Sequence, residues 1–375
     1  MASIFELAQQ ITNEVVAPLA AEIDRERRFP KEAFEAFAHS GLLGLLVPTE
    51  AGGLGGTLED LSAVTEIIAT HCGSTAMCYL MHCCATAVIA SKATEDQKQR
   101  YLRPIAEGQK IGTLAFSETG TGTHFYSPEI KAQKEGSQFV LEGRKSFVTN
   151  GEYSDFLIVL TNASDQDKGL SMMIVDSKTP GIRFEGEWDG IGLCGNNSIV
   201  LEMKEVKLAQ EQVVGAEGNG LDLIFGVVAP TFILGISGVN VGLARGAYQT
   251  ALAHASNRKY ADGRSLAEHQ AIQFYLSDMY GAVESSSLFV QNASRAAVEG
   301  KEDAMLSILQ SKILASENAI KVTNIAMQVC GGKGYTRALP TERFFRDARA
   351  GAVMAPSTEV LKEWVGKSLT GIPLF

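Results

Sequence analysis

The chain is 375 residues long, 45% hydrophobic and 20% charged, with a formal net charge of −10. That length supports two or three structural units, each with its own core, and the acidic balance argues against nucleic acid or an anionic membrane surface as the main partner. The six cysteines form no C-x-x-C framework, so they read as reduced core residues of a cytoplasmic protein. His71 and His82 lie near Cys72, Cys78, Cys83 and Cys84, but at no zinc-site spacing, and no metal is expected.

In chain order, the opening MASIFELAQQITNEVV has no basic stretch ahead of an apolar core, so no secretory signal is expected. Residues 1–111 read as a helical domain. Pro30 starts one helix, Phe34 and Phe37 share a face of it, and Gly41 stops it. After the turn-rich GLLGLLVPTEAGGLGG, Thr57-Leu-Glu-Asp60 has the form of a capping box, with Leu61, Val64 and Ile68 following at helical spacing.

From residue 112 to 219 the period shortens, which predicts a middle β domain. Glu135-Gly136 is a turn between short strands, DFLIVLT and LSMMIVDS are apolar runs, and Thr179-Pro180-Gly181 marks another turn. SIVLEMKEVKL alternates, with Ile199, Leu201 and Met203 on one face. Residues 220–375 return to helical spacing, as at Leu306, Leu309, Ile313 and Ile320.

Leu223 to Ala244 carries no charge and is long enough to cross a bilayer. However, it holds Pro230 and Asn240 and has no aromatic belt, while Gly235, Gly238 and Gly242 allow close helix approach. A helix buried in a domain or an oligomer is expected, not a membrane span. No G-x-G-x-x-G follows a strand, which disfavours a nicotinamide-binding Rossmann unit.

Three stretches carry chemistry. In AFSETGTGTH (115–124), Gly120 and Gly122 free the backbone, and Ser117, Thr119, Thr121 and Thr123 offer hydroxyls. Such a turn suits anionic oxygens, and equally an ordinary polar loop. In KSFVTNG (145–151), strand alternation puts Phe147 and Thr149 on one side, where a flat heterocycle would rest on the ring and meet the hydroxyl; alone this is a half-buried strand. In QVCGGKGYTRALPTERFFRDAR (328–349), Gly331, Gly332 and Gly334 mark a turn between helices. Arg337, Arg343, Arg346 and Arg349 crowd the segment after that turn, a pattern also fit for a connector with a charged face.

In this order and spacing, and with AEHQAIQFYLSDM at 267–279, these stretches resemble the acyl-CoA dehydrogenase family of flavoproteins over nearly the whole chain. FSETGTGTH is similar to the family's T-E-P-x-x-G-S-D loop and FVTNG to its W-I-T-N-G strand. The third stretch is similar to its Q-x-x-G-G-x-G-Y-x-x-x-x-P-x-E-R-x-x-R-D element. The resemblance implies a multidomain α+β fold with an N-terminal helical domain, a middle β-barrel or sandwich and a C-terminal four-helix bundle. It also implies FAD and a homotetramer built as a dimer of dimers. Carried over residue by residue, Phe116 and Ser117 approach the flavin ring, and Gly122 and Thr123 the pyrophosphate. Phe147 covers the isoalloxazine where the family has tryptophan, and Thr149 bonds near N5. Ser357 and Glu359 also touch the flavin. Gln328, Gly331 and Gly332 meet the adenine half of FAD held mainly by another subunit. Arg258 or Lys259, in NRKYADGR, supplies the cation of the family's R-x-x-F-G element.

One junction departs from the family. Its Y-E-G-T-S-E stands here as Met354-Ala355-Pro356-Ser357-Thr358-Glu359, so Ala355 occupies the place of the glutamate that removes the α-proton. The alternative base position, on the charge-free helix, is Phe232, with Ile233 in place of a neighbouring arginine. Neither carries a carboxylate. Ala355 keeps the backbone N–H that grips the thioester carbonyl in the family, Phe232 and Met354 are expected to line the substrate site, and Glu359 is a candidate surrogate base. Pro356 stiffens the junction, and His124 replaces the aspartate of G-S-D.

The expected function is FAD-dependent oxidoreduction at the Cα–Cβ bond of an acyl thioester, on CoA or a carrier protein, with a substituted or relocated base. Electrons would leave to an electron-transfer flavoprotein or to oxygen. The alternatives are base-independent flavin chemistry on the same fold, as in a monooxygenase or desulfinase, and a flavin-binding subunit without turnover.

Overall fold

The computed structural model describes residues 3–165 and 169–374. Helices come first: α1 (Ile4–Ile11), α2 (Ala17–Glu26), α3 (Lys31–Ser40), α4 (Leu58–Ala69), α5 (Gly73–Lys92) and α6 (Glu95–Ala106). Local chemistry sets their ends. Thr57 caps α4 in a reciprocal box with Asp60, and α3 lies between Pro30 at its N-cap and Gly41 at its C-cap, whose φ of +78° is a left-handed stop open to glycine at no steric cost.

Among the described residues seven strands come next: β1 (Gly112–Ala115), β2 (Ala132–Glu135), β3 (Gln138–Val148), β4 (Phe156–Asn162), β5 (Leu170–Asp176), β6 (Ile182–Glu185) and β7 (Ile199–Ala209). They form two sheets, β1-β4-β5 and β2-β3-β7-β6. Among these strand pairs β1–β4 is parallel and the others are antiparallel. Leu157, Val159, Met173 and Val175 of the first sheet pack on Leu141, Leu201, Met203 and Leu208 of the second. On the other face, Ile158, Leu160, Met172 and Ile174 join the helical core. A sheet covered on both sides favours apolar residues on both faces, which is why β4 and β5 read as mostly apolar runs, with Thr161 and Ser171 buried among them. The middle domain is a sandwich.

The last part is helical: α7 (Gly220–Leu223), a π-turn over Ile224–Val228, α8 (Ala229–Asn257), α9 (Gln270–Val298), α10 (Ala304–Gly334), α11 (Thr341–Val353) and α12 (Thr358–Thr370). α10 packs on α8, α9, α11 and α12. Among the described residues two helical segments are long and apolar enough to cross a membrane, Gly73–Lys92 and Gly220–Asn257, and 89% and 78% of their most apolar 18-residue stretches is buried inside the protein. The charge-free stretch is therefore a core helix, as its glycines suggested. A Cβ on Gly238, Gly242 or Gly246 would come within 2.2–2.3 Å of the carbonyl oxygens of Ser62, Glu66 and Thr70. These glycines recur every four residues on one face, so α8 lies directly against α4 along that face.

All six cysteines are free and buried. His82 is a core histidine: Nε2 donates to the Leu43 carbonyl at 2.9 Å and Nδ1 accepts the Gly112 N–H at 3.1 Å. Burial lowers its pKa to about 4, so it is neutral. Among the described residues no group of three or more His, Cys, Asp or Glu is arranged to hold a metal.

Candidate active site

The first two chemical stretches meet. The Ser146 N–H donates to the Ser117 carbonyl at 2.8 Å, joining the polar loop to β3. Beneath this contact lies a buried ion pair, Lys145 Nζ to Glu118 Oε1 at 2.5 Å, with side chains 0% and 3% exposed. Lys145 also donates to the carbonyls of Phe116 and Leu160. Glu118 accepts the backbone N–H groups of Glu129 and Ile130, so one carboxylate holds both ends of the loop. Burial pulls Lys145 down to about 8, although Glu118 opposes the shift.

Two sequence expectations need correcting here. Phe147 and Thr149 are not related by strand alternation. Phe147 sits at φ +55°, in a register break between Lys145 and Val148, and β3 ends at Val148. Left-handed backbone rotates the chain out of the period-two pattern. Phe147 is left 67% exposed, while Thr149 is buried. Nor are all four loop hydroxyls presented outward. Thr121 is buried, and its Oγ1 donates to the Glu118 carbonyl and accepts the Glu118 N–H. Ser117, Thr119 and Thr123 remain for a ligand.

A segment without a sequence signal of its own completes this face. Trp188 meets Phe147 edge-on, with ring centroids 6.2 Å apart, and Ser198 Oγ shares a 2.8 Å hydrogen bond with Thr149 Oγ1. Trp188 Nε1 donates to the Leu193 carbonyl, and the Leu193 N–H donates to Asp347 Oδ1 on α11 at 2.6 Å. Asp347 thus ties the 188–198 segment to the helical bundle. Burial pushes its carboxyl up to about 6. A folded pKa above the unfolded value of ~3.9 means that the native state holds the proton more tightly. The contribution of this group is therefore full below about pH 4 and is lost as pH rises through 6. Asp347→Asn keeps an acceptor for Leu193. It is expected to remove a fall of about 3 kcal/mol in unfolding free energy across that window, read as the wild-type-minus-variant difference in urea titrations.

The Met354–Glu359 junction is adjacent. α11 ends as Met354 turns extended, the Ala355–Pro356 peptide bond is cis, and Ser357 caps α12 through Val360 N. The Ser357 N–H reaches Thr123 Oγ1 at 3.3 Å, which joins the junction to the polar loop. Phe232, Met354 and Ala355 are all half-buried at this join. Glu359 is exposed. Its own backbone N–H and the Thr358 hydroxyl hold its carboxyl below the usual carboxylate range, which weakens it as a base. A buried lysine, Lys312 on α10, donates to the carbonyls of Met354 and Pro356. Its only sequence signal was a lone cation inside the apolar SILQSKILAS.

The remaining predicted residues lie elsewhere. Arg258, Lys259, Gln328, Gly331 and Gly332 are exposed. Arg258 and Lys333 help line a cavity of about 560 Å³ with His254 and Asn257. α10 kinks here, because Gly331 takes φ 55°, ψ −142°. Phe232 and Arg258 stand at opposite ends of α8, about 40 Å apart at 1.5 Å per residue.

FAD fits the ring-side face on two observations. Phe147 is the exposed aromatic there, and its contact with Trp188 is perpendicular, not stacked, which leaves most of the side chain open to a flat ligand. Gly122, at φ +52°, has open space where a Cβ would project, so the backbone beside Thr123 is accessible to a ligand's oxygens.

Comparison with known proteins agrees with this geometry. Residues 2–109, 113–206 and 234–370 match, in turn, the N-terminal, middle and C-terminal domains of acyl-CoA dehydrogenase. The chain belongs to the acyl-CoA dehydrogenase family. It is 32% identical to the short-chain-specific acyl-CoA dehydrogenase of Clostridium acetobutylicum, covering 95% of each chain. It is also 32% identical to the 3-(aryl)acrylate reductase of Clostridium sporogenes, covering 98% of this chain and 97% of the relative. Among solved structures, butyryl-CoA dehydrogenase from Megasphaera elsdenii superimposes with a TM-score of 0.93 at 27% identity, covering 98% of this chain and 97% of that one. The family member described here is a FAD-dependent flavoenzyme acting on acyl thioesters.

Proposed function

We propose that this flavoenzyme works at the Cα–Cβ bond of an acyl thioester without a carboxylate base on the Met354–Ser357 junction. FAD, when bound, would be held by Ser117, Thr123, Phe147 and Thr149 and would supply hydride transfer at that bond. The chain's own residues then bind and polarise. The observation that carries the reading is the Ala355 N–H, which no group accepts among the described residues and which sits beside half-buried Phe232 and Met354. A donor of this kind stabilises charge on a carbonyl oxygen irrespective of its side chain. The relatives' names, a short-chain dehydrogenase and an arylacrylate reductase, support both directions of the reaction and a compact acyl group. The carrier is CoA or an acyl-carrier protein, and the electron partner an electron-transfer flavoprotein or oxygen.

The same reading includes a homotetramer. The residues assigned to FAD lie at both ends of α8, so a second copy is needed to bring Arg258 and Gln328 to a cofactor whose ring lies at Phe147. α9 also presents exposed Phe274, Tyr275, Tyr280 and Leu288, an apolar ridge suited to a second copy. We place the protein in the cytoplasm, in keeping with six free cysteines.

Anaerobic titration of the FAD-loaded protein with a panel of acyl-CoAs tests the function. A saturable change in the flavin spectrum is expected, and bleaching marks dehydrogenation. A flavin that responds to no thioester overturns the reading, whereas rapid oxygen reaction of the reduced protein would move it to monooxygenase chemistry.

A further inference from the structure

We propose that Lys312 is a positioning residue: its ammonium clamps the carbonyls on either side of Ala355 and so turns the Ala355 N–H outward to receive the substrate carbonyl. The proposal rests on the thioester reading above and assigns the group that holds the donor in place.

Lys312 is fully buried. Nζ donates to the Met354 carbonyl at 2.8 Å and the Pro356 carbonyl at 2.6 Å, and it lies 5.8 Å from the centre of the Phe232 ring. In a trans peptide unit the C=O and the following N–H point in opposite directions within one plane. The Met354 carbonyl shares its plane with the Ala355 N–H, and the Pro356 carbonyl with the Ser357 N–H. The peptide bond between them ends in Pro356 and has no N–H. Drawing both carbonyls onto one buried ammonium therefore turns both N–H groups away from it. One is seen to point outward, since the Ser357 N–H meets Thr123 Oγ1. The other, at Ala355, has no acceptor among the described residues.

The charge adds to the geometry. Bonding a carbonyl to a cation polarises its peptide unit and makes the linked N–H a stronger donor. Lys312 takes part in no ion pair among the described residues, and the charge that acts on it is Glu359, across the junction on α12. Facing it from α8 is Phe232, which does not titrate. Burial lowers the lysine to about 7. A buried cation without a carboxylate is costly for stability, and both places where the family resemblance puts a carboxylate are here Ala355 and Phe232.

The test compares wild type, Lys312→Met and Ala355→Pro, all loaded with FAD, using butyryl-CoA as probe. Proline suits position 355 because Met354 already has the extended backbone that precedes it (φ −61°, ψ 137°). FAD content is expected to persist in both variants. The concentration of butyryl-CoA that half-saturates the flavin spectral change should rise roughly 10- to 100-fold in each. Wild-type affinity should weaken as pH rises through neutrality, and Lys312→Met should flatten that profile. Peptide-resolved hydrogen exchange across 354–358 should quicken in Lys312→Met, with or without ligand. Wild-type affinity in Lys312→Met, unchanged exchange at 354–358, or a pH profile that survives the substitution each overturns the proposal. If Lys312→Met does not fold, wild-type affinity in Ala355→Pro or a flat wild-type profile does the same. If no thioester perturbs even the wild-type flavin, the thioester reading falls, and the exchange arm still decides whether Lys312 clamps the junction.

Discussion

Replacing Glu118 with alanine is expected to destabilise the protein by about 3–5 kcal/mol, because it strands a buried ammonium. Lys145 is wholly buried and spends its donors on Glu118 and on the carbonyls of Phe116 and Leu160. Without Glu118 the two carbonyls remain but the opposite charge does not. The loop loses its tie as well, since Glu118 also collects the N–H groups of Glu129 and Ile130. The loss should reach the cofactor, because Ser117 and Thr123 stand on that loop; FAD release at micromolar protein, followed by flavin fluorescence, is the second expected result. The pH dependence distinguishes this cause from a packing defect. The folded pKa of Lys145 lies below its unfolded value, so the unfolded chain binds more protons above that folded pKa and stability rises with pH. Removing Glu118 takes away what holds the lysine up and lowers its folded pKa further. Glu118→Ala should therefore regain stability between pH 7 and 10 more steeply than wild type. Parallel urea titrations at several pH values would show it, and a variant with wild-type pH dependence would refute the charge argument.

Much of this architecture could be read from residues whose effect is local. Gly41, Pro30 and the Thr57–Asp60 box act on their own turn, so each helix end fell where its chemistry put it. The apolar runs of β4 and β5 likewise marked strands, and their low polarity is that of a sheet covered on both faces. Phe147 marks the limit of that approach. Alternation assumes extended backbone at every step, and one left-handed residue in a bulge cancels the pattern. The positions of Trp188, Ser198 and Asp347 depend on a tie between residues 193 and 347, which no local pattern announces. Lys312 was hidden for a related reason. A single lysine in a helix is usually a solvated one, and its burial becomes visible only once α11 and α12 deliver two carbonyls to it.

Installing a carboxylate is the sharpest test of the chemistry. Ala355→Glu is expected to raise the rate of α-proton removal from a bound acyl-CoA by about 10²–10⁴-fold, the usual contribution of a positioned general base. The site is prepared to receive it. Ala355 is half-buried, and its flanking carbonyls are bonded to Lys312, which fixes the backbone from which the new side chain projects. Pro356 comes directly after the substituted residue and limits its backbone freedom, so the new side chain has few conformations to search. Two measurements separate proton removal from hydride transfer: loss of deuterium from an α-labelled acyl-CoA, and the rate of anaerobic flavin bleaching. If both accelerate, proton abstraction limits the natural protein and the missing carboxylate is the reason. Exchange that accelerates without bleaching would put the limit at hydride transfer, whereas no change in either would mean that the native chemistry does not pass through α-proton removal at this junction.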